Sequence, residues 1–139
     1  MYNYYMKYKM TFMILISLLC FTSKLYGKWE WLSGSTNLGG IDIYVDFERI
    51  IKKNGYIYFW YLMNWEKKNN PKGNKSNYHS FVIYSQGDCN FFKFKQLSIN
   101  TYFSKMGKNF DDSFTPKDDW KYPTPNSNFE GMLKSVCNK

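Results

Sequence analysis

Apolar and polar residues alternate most cleanly at Ile41, Ile43 and Val45, which face Asp42, Tyr44 and Asp46 across a period of two. That period places one set on each face of a pleated strand, so the segment predicts a half-buried strand. Trp29 and Trp31 repeat the spacing and predict a short first strand, followed by a Gly/Ser/Asn loop from Ser33 to Gly40. Phe47 to Lys53 is short and basic, anchored by Ile50 and Ile51, with room for one helical turn before the Lys53-Asn-Gly55 turn. Tyr56 to Trp65 is almost wholly aromatic or aliphatic and predicts a central strand covered on both faces. Glu66 to Asn77 then reads as a polar basic loop. Tyr78 to Tyr84 is a further strand, and Gln86-Gly87-Asp88 turns the chain into Cys89. Asn90 to Leu97 returns, with Phe92 and Phe94 opposite Lys93 and Lys95, and completes a hairpin that Asn100 to Met106 extends. Gly107 to Asp119 reads as loop, and Trp120 to Pro125 as an extended segment in which each proline disfavours helix before it.

The period changes after Pro125. Phe129, Met132, Leu133, Val136 and Cys137 recur at helical spacing, so one face is apolar. Ser127 stands three residues before Glu130, the arrangement in which a hydroxyl and a carboxylate satisfy the first free backbone N–H groups. A helix this short is marginal alone and needs a surface to lie on. The predicted fold is α+β: an antiparallel β-sheet of about five to six strands with a C-terminal α-helix packed on it and one disulfide.

The start of the chain stands apart. Lys7 and Lys9 precede an apolar run from Met10 to Phe21, shorter than the ~20 residues that span a bilayer. This is the layout of a secretory signal peptide, with Gly27 as the small residue at the cleavage position and Leu25 two before it. The expected organisation is a signal peptide over 1–27 and one domain over 28–139. Cys20 raises lipidation as an alternative, but the bulky Ser17-Leu18-Leu19 upstream of it makes a poor lipobox. An uncleaved N-terminal anchor is a third reading.

The net charge of +8 falls when Lys7, Lys9 and Lys24 leave with the leader, and a mildly basic surface attracts anionic partners without calling for nucleic acid. Alanine is absent and Arg49 is the only arginine, so part of the lysine excess reflects codon usage. Two cysteines remain, Cys89 and Cys137. In an exported chain an even pair reads as a disulfide, against the alternative of two buried thiols.

Little in the chain carries chemistry. His79 is the only histidine, and a metal site wants several ligands at meaningful spacing. Asp42 and Asp46 share a strand face, and Asp111-Asp112 and Asp118-Asp119 sit in loops, where paired carboxylates are more often solvated charge than acid–base machinery. Calcium-loop, phosphate-loop and nucleophile-elbow patterns are absent. The expectation is therefore no enzyme and no cofactor. Trp29, Trp60 and Trp65 read as core, while Tyr44, Tyr58 and Tyr61 read as rigid amphipathic area for a partner. Lys67, Lys68, Lys72 and Lys75 form a basic loop suited to polyanions. The candidate contact residues are those four lysines with Tyr58 and Tyr61.

The ordered landmarks are Trp29, Tyr44-Val45-Asp46, Lys53-Asn-Gly55 before the aromatic run, and Asp88-Cys89 before a Phe/Lys strand. Met106-Gly107, Trp120-Lys-Tyr-Pro123, Pro125-Asn-Ser127 and Val136-Cys137 follow. In this order they resemble the bacterial surface-adhesin protein E family over nearly all of the domain. The resemblance implies an antiparallel sheet with a C-terminal helix held by a Cys89–Cys137 disulfide, and an exported, non-enzymatic protein. Adhesins of this type bind host extracellular-matrix proteins and are lipoproteins, a point at which Cys20 departs from the pattern. The resulting expectation is an adhesin-like binding protein of the periplasm or cell surface. It contacts protein or polyanionic partners, touches the membrane only through its N-terminal segment, and is open to oligomerisation. A small periplasmic inhibitor or envelope accessory protein is the alternative.

Overall fold

The computed structural model describes residues 27–35, 40–69 and 78–139. Six strands form one antiparallel sheet in sequence order: β1 (Glu30–Ser35), β2 (Ile41–Lys53), β3 (Tyr56–Asn69), β4 (Tyr78–Asp88), β5 (Lys93–Ser104) and β6 (Lys108–Phe114). Each strand pairs with its neighbour in the chain, so every connection is local. Among the described residues the one α-helix, α1 (Asn128–Cys137), follows the sheet.

The register shows why one side of the sheet is the core. Val45 lies opposite Tyr61, and Tyr61 opposite Ile83. With Ile43, Ile57, Phe59 and Phe94 they form a buried layer against which α1 lays Met132, Leu133 and Val136. Fully burying side chains of this size contributes roughly 1.5–3 kcal/mol each. Gly87 of β4 lets the helix approach: a Cβ there would come within 2.8 Å of Ile57 and 3.2 Å of Leu133. Phe129, in the first turn of α1, stacks on Phe94 at 5.7 Å between centroids and meets Tyr61 edge-on at 6.3 Å.

The N-terminal end of α1 is closed by the two side chains the sequence singles out, the carboxylate reaching the residue before the cap rather than the cap itself. Ser127 Oγ accepts from Glu130 N at 3.2 Å, and the Glu130 carboxylate accepts from Asn126 N at 2.7 Å while pairing with Lys134. The Cys89–Cys137 disulfide fastens the last turn to the chain just beyond β4.

Several boundaries differ from the expectation. Phe47 to Lys53 is not a helical turn but the second half of β2, beyond a register shift between Asp46 and Ile51 that breaks the alternation. Gly107 to Asp119 is not all loop, because Lys108–Phe114 is β6, an edge strand with no buried face and hence no hydrophobic period. Gln86-Gly87-Asp88 stays within β4, and the turn falls at 89–92. β3 runs on to Asn69, three residues past Glu66 where a loop is expected. The leader, through residue 26, lies outside the described residues, as do Cys20 and residues 70–77.

Candidate functional site: the face opposite the helix

β3 presents Ile57, Phe59 and Tyr61 to the helix, so Tyr56, Tyr58 and Trp60 point the other way. All three are half-buried. Trp60 stacks on Tyr84 of β4, its register partner, at 4.7 Å, and Tyr84 lies 6.3 Å from Tyr58. Further along, Trp120 stacks on Tyr56 at 5.9 Å. Trp120 comes from the segment after β6, held against β5 by paired backbone bonds between Phe94 and Lys121 at 3.0 and 2.7 Å. The rings form a series across the sheet.

Cations sit at both ends of that series. Lys93 and Lys95 lie over the Trp120 ring at 4.8 and 5.1 Å. Arg49 at the opposite end lies 5.7 Å from the ring centroids of both Trp29 and Trp60. A cation over an aromatic face is held by the ring quadrupole, which keeps its charge beside apolar area. Arg49 is further fixed by Asp46, whose carboxylate accepts from Arg49 Nε at 2.6 Å, from Glu48 N at 3.2 Å and from Lys28 N at 3.1 Å. Asp46 is 1% exposed, and a buried carboxylate must be paired in this way.

Beside Arg49 the face dips into a cleft of about 240 Å³, its walls including Trp29, Arg49, Trp60, Asn100, Tyr102 and Met106. Its floor is held by two buried polar side chains. Asn64 accepts from Met106 N at 3.0 Å, and Ser80 Oγ accepts from Gly107 N at 3.1 Å while donating to Ser104 O at 2.6 Å. Met106 and Gly107 have φ of 60° and 66°, so the tight turn at Lys105–Gly107 relies on these bonds to stay against the sheet.

The expected contact residues fare unequally. Tyr58 belongs to the ring series. Tyr61 does not: it is 0% exposed on the helix side, where its hydroxyl accepts from Gln96 Nε2 at 2.7 Å. Residues 58 and 61 have opposite parity, and a strand sends them to opposite faces. Lys67 and Lys68 fall in the last residues of β3, but their side chains, and Lys72 and Lys75 entirely, lie outside the described residues. Trp65 is core, as expected, whereas Trp29 and Trp60 are half-buried on the face away from the helix. Trp60, Tyr84, Trp120 and Arg49 were missed as contacts, although parity with Tyr58 marks Trp60.

The acidic candidates are occupied locally. Thr101 Oγ1 donates to Asp111 Oδ2 at 3.4 Å, Asp118 pairs with Lys95 at 2.7 Å and Asp119 with Lys117 at 3.2 Å. Among the described residues no group of three or more His, Cys, Asp or Glu side chains converges, and no helix is long and apolar enough to cross a membrane.

The sequence profile of one family, described as surface-adhesin protein E, matches residues 29–138. No curated protein matches the chain. Among solved structures, crystal form II of Haemophilus influenzae protein E is similar at a TM-score of 0.56 and 18% identity, over 78% of this chain and 87% of that one. The selenomethionine form of the same protein gives 0.55 at 17%, covering 78% and 85%. A third structure of it gives 0.55 at 19%, covering 78% and 83%. At such identities the likeness of structure speaks to the fold alone.

Proposed function

The chain belongs to the surface-adhesin protein E family, and from that premise we propose that the face opposite the helix is where it holds its partner. As a member of that family it is an exported, non-enzymatic, adhesin-like protein of the cell surface or periplasm that binds other proteins. The observation that carries the assignment of the face is the ring series from Trp60 through Tyr84 and Tyr58 to Tyr56 and Trp120, with Arg49 at one end and Lys93 and Lys95 at the other. Tyr and Trp offer large contact area at small entropic cost, and Arg and Trp dominate binding hot spots. The pairing of rings with cations fits an acidic, partly apolar protein segment. For a surface adhesin the first partner class to test is host extracellular matrix, followed by envelope proteins.

The basic stretch containing Lys67, Lys68, Lys72 and Lys75 is proposed as a secondary electrostatic contact for polyanions. Such a contact weakens as salt rises, because exposed charges are screened over about 8 Å at physiological ionic strength. The test of the main proposal is retention of the purified exported protein on immobilised basement-membrane extract. Trp60→Ala and Trp120→Ala are expected to lower retention at least tenfold, the ~1.4 kcal/mol or more typical of a hot-spot aromatic. Charge neutralisation of the four lysines is expected to lower it only at low salt. Full retention by the tryptophan variants would remove the face from consideration.

A further inference from the structure

The first described residues are tied down before any strand begins. Lys28 donates its backbone N–H to Asp46 Oδ2 at 3.1 Å, eighteen positions away. Its side-chain ammonium pairs with Glu48 at 2.6 Å, and the next residue, Trp29, lies beneath Arg49. Three interactions therefore hold a segment that the sheet does not otherwise require, all of them on β2 and two on the buried Asp46–Arg49 pair.

Gly27 packs closely on the Asp46–Arg49 pair. A Cβ there would press into the Arg49 guanidinium and come within 2.8 Å of the Asp46 carboxylate. Gly27 also lines the cleft beside Trp29, Arg49 and Trp60. The leader reading of the sequence puts the scissile bond between this residue and Lys28.

We propose that Gly27–Lys28 is the processing junction of the exported chain, and that Asp46 is the receptor for the α-ammonium that processing creates. Water adds across the peptide bond: the C–N bond breaks, water's oxygen goes to Gly27, which leaves as a carboxylate, and both of water's protons go to the Lys28 N–H, which becomes –NH3+. The nitrogen keeps its position against Asp46 Oδ2 but becomes a cation, so a hydrogen bond charged only at its acceptor becomes an ion pair. The new charge faces Asp46, Glu48 and Arg49 from β2, Glu30 from β1, and the Lys28 side chain itself. The two nearest carboxylates are already engaged with Arg49 and the Lys28 side chain, and the ammonium adds to the positive side of this cluster without stranding either. The same cleavage removes Gly27 from the cleft and uncovers Arg49 on that side. This second consequence rests on the binding face proposed above, whereas the docking of the α-ammonium does not.

The experiment uses the full chain, exported and recovered from the periplasm or cell surface. Intact mass and N-terminal sequencing should give Lys28 as the first residue; any other start overturns the proposal. The α-amine of the recovered protein is then titrated, by the pH dependence of its acylation with limiting active ester, in the native state and in urea. The expected result is an α-amine that titrates higher in the native protein than in urea, where it shows the ordinary ~8. Equal values would overturn the docking and leave the proposed binding face untouched. Asp46→Asn should bring the native value back to that of the unfolded chain, while Glu48→Gln leaves it raised. Should Asp46→Asn fail to fold, the native-versus-urea comparison on the unaltered chain still decides.

Discussion

Tyr61 and Trp60 are adjacent residues with opposite fates, and the difference is parity alone. Tyr61 is enclosed between sheet and helix, where burial pushes its phenol well above the ordinary 10 and the Gln96 bond only partly offsets that. A folded-state value raised above the unfolded one means a contribution present below pH 10 and lost as pH rises through the folded value. Stability should therefore fall more steeply above pH 10 than in Tyr61→Phe, as urea midpoints across pH 8–11 would show; identical slopes would mean the phenol ionises in place. Ser127 is a second residue with a separable contribution. Ser127→Ala removes the acceptor for Glu130 N and should cost about 1 kcal/mol, with Ser127→Asp recovering most of it. Thermal melting of the three proteins checks this, and an alanine variant as stable as the parent would contradict the cap.

At the scale of elements, the α1–disulfide unit is the main determinant of stability outside the sheet. The bond closes 48 residues, and reducing or deleting it should cost about 4 kcal/mol in the chain-entropy account. Replacing Cys89 and Cys137 together by serine, read by urea denaturation, tests it. A loss well under half of that would mean that α1 holds its place without the bond. Leu133→Ala, which empties volume under Gly87 and Ile57, should cost a further 2–5 kcal/mol. Elements with a strong period were legible in the sequence: β3, the alternating half of β2, and the capped helix with its Cys89 partner. β6 was not, because Lys-Asn-Phe-Asp-Asp-Ser-Phe at a sheet edge buries no face and so writes no period into its residues. The second half of β2 was not either, because the irregular pairing after Asp46 shifts the pattern out of phase.

For the whole molecule, the meander leaves the sheet with two unlike sides. One carries the helix and the aliphatic core; the other is partly roofed by the turn at Lys105–Gly107 and by Trp120, and is otherwise aromatic, polar and cationic. The sequence could show the aromatic run of β3 but not which of its rings remain half-uncovered, because that depends on which face a helix more than sixty residues later selects. It gave no sign of Trp120 as part of the same face, since a backbone bridge to Phe94 brings it there. The most direct measurement is radical footprinting of the exported protein alone and bound to basement-membrane or envelope extract. Trp60, Tyr84 and Trp120 should become protected on binding, while Tyr122 and Phe114, 69% and 46% exposed off the ring series, keep their reactivity. Protection of Tyr122 or Phe114 with Trp60 and Trp120 unchanged would contradict the account.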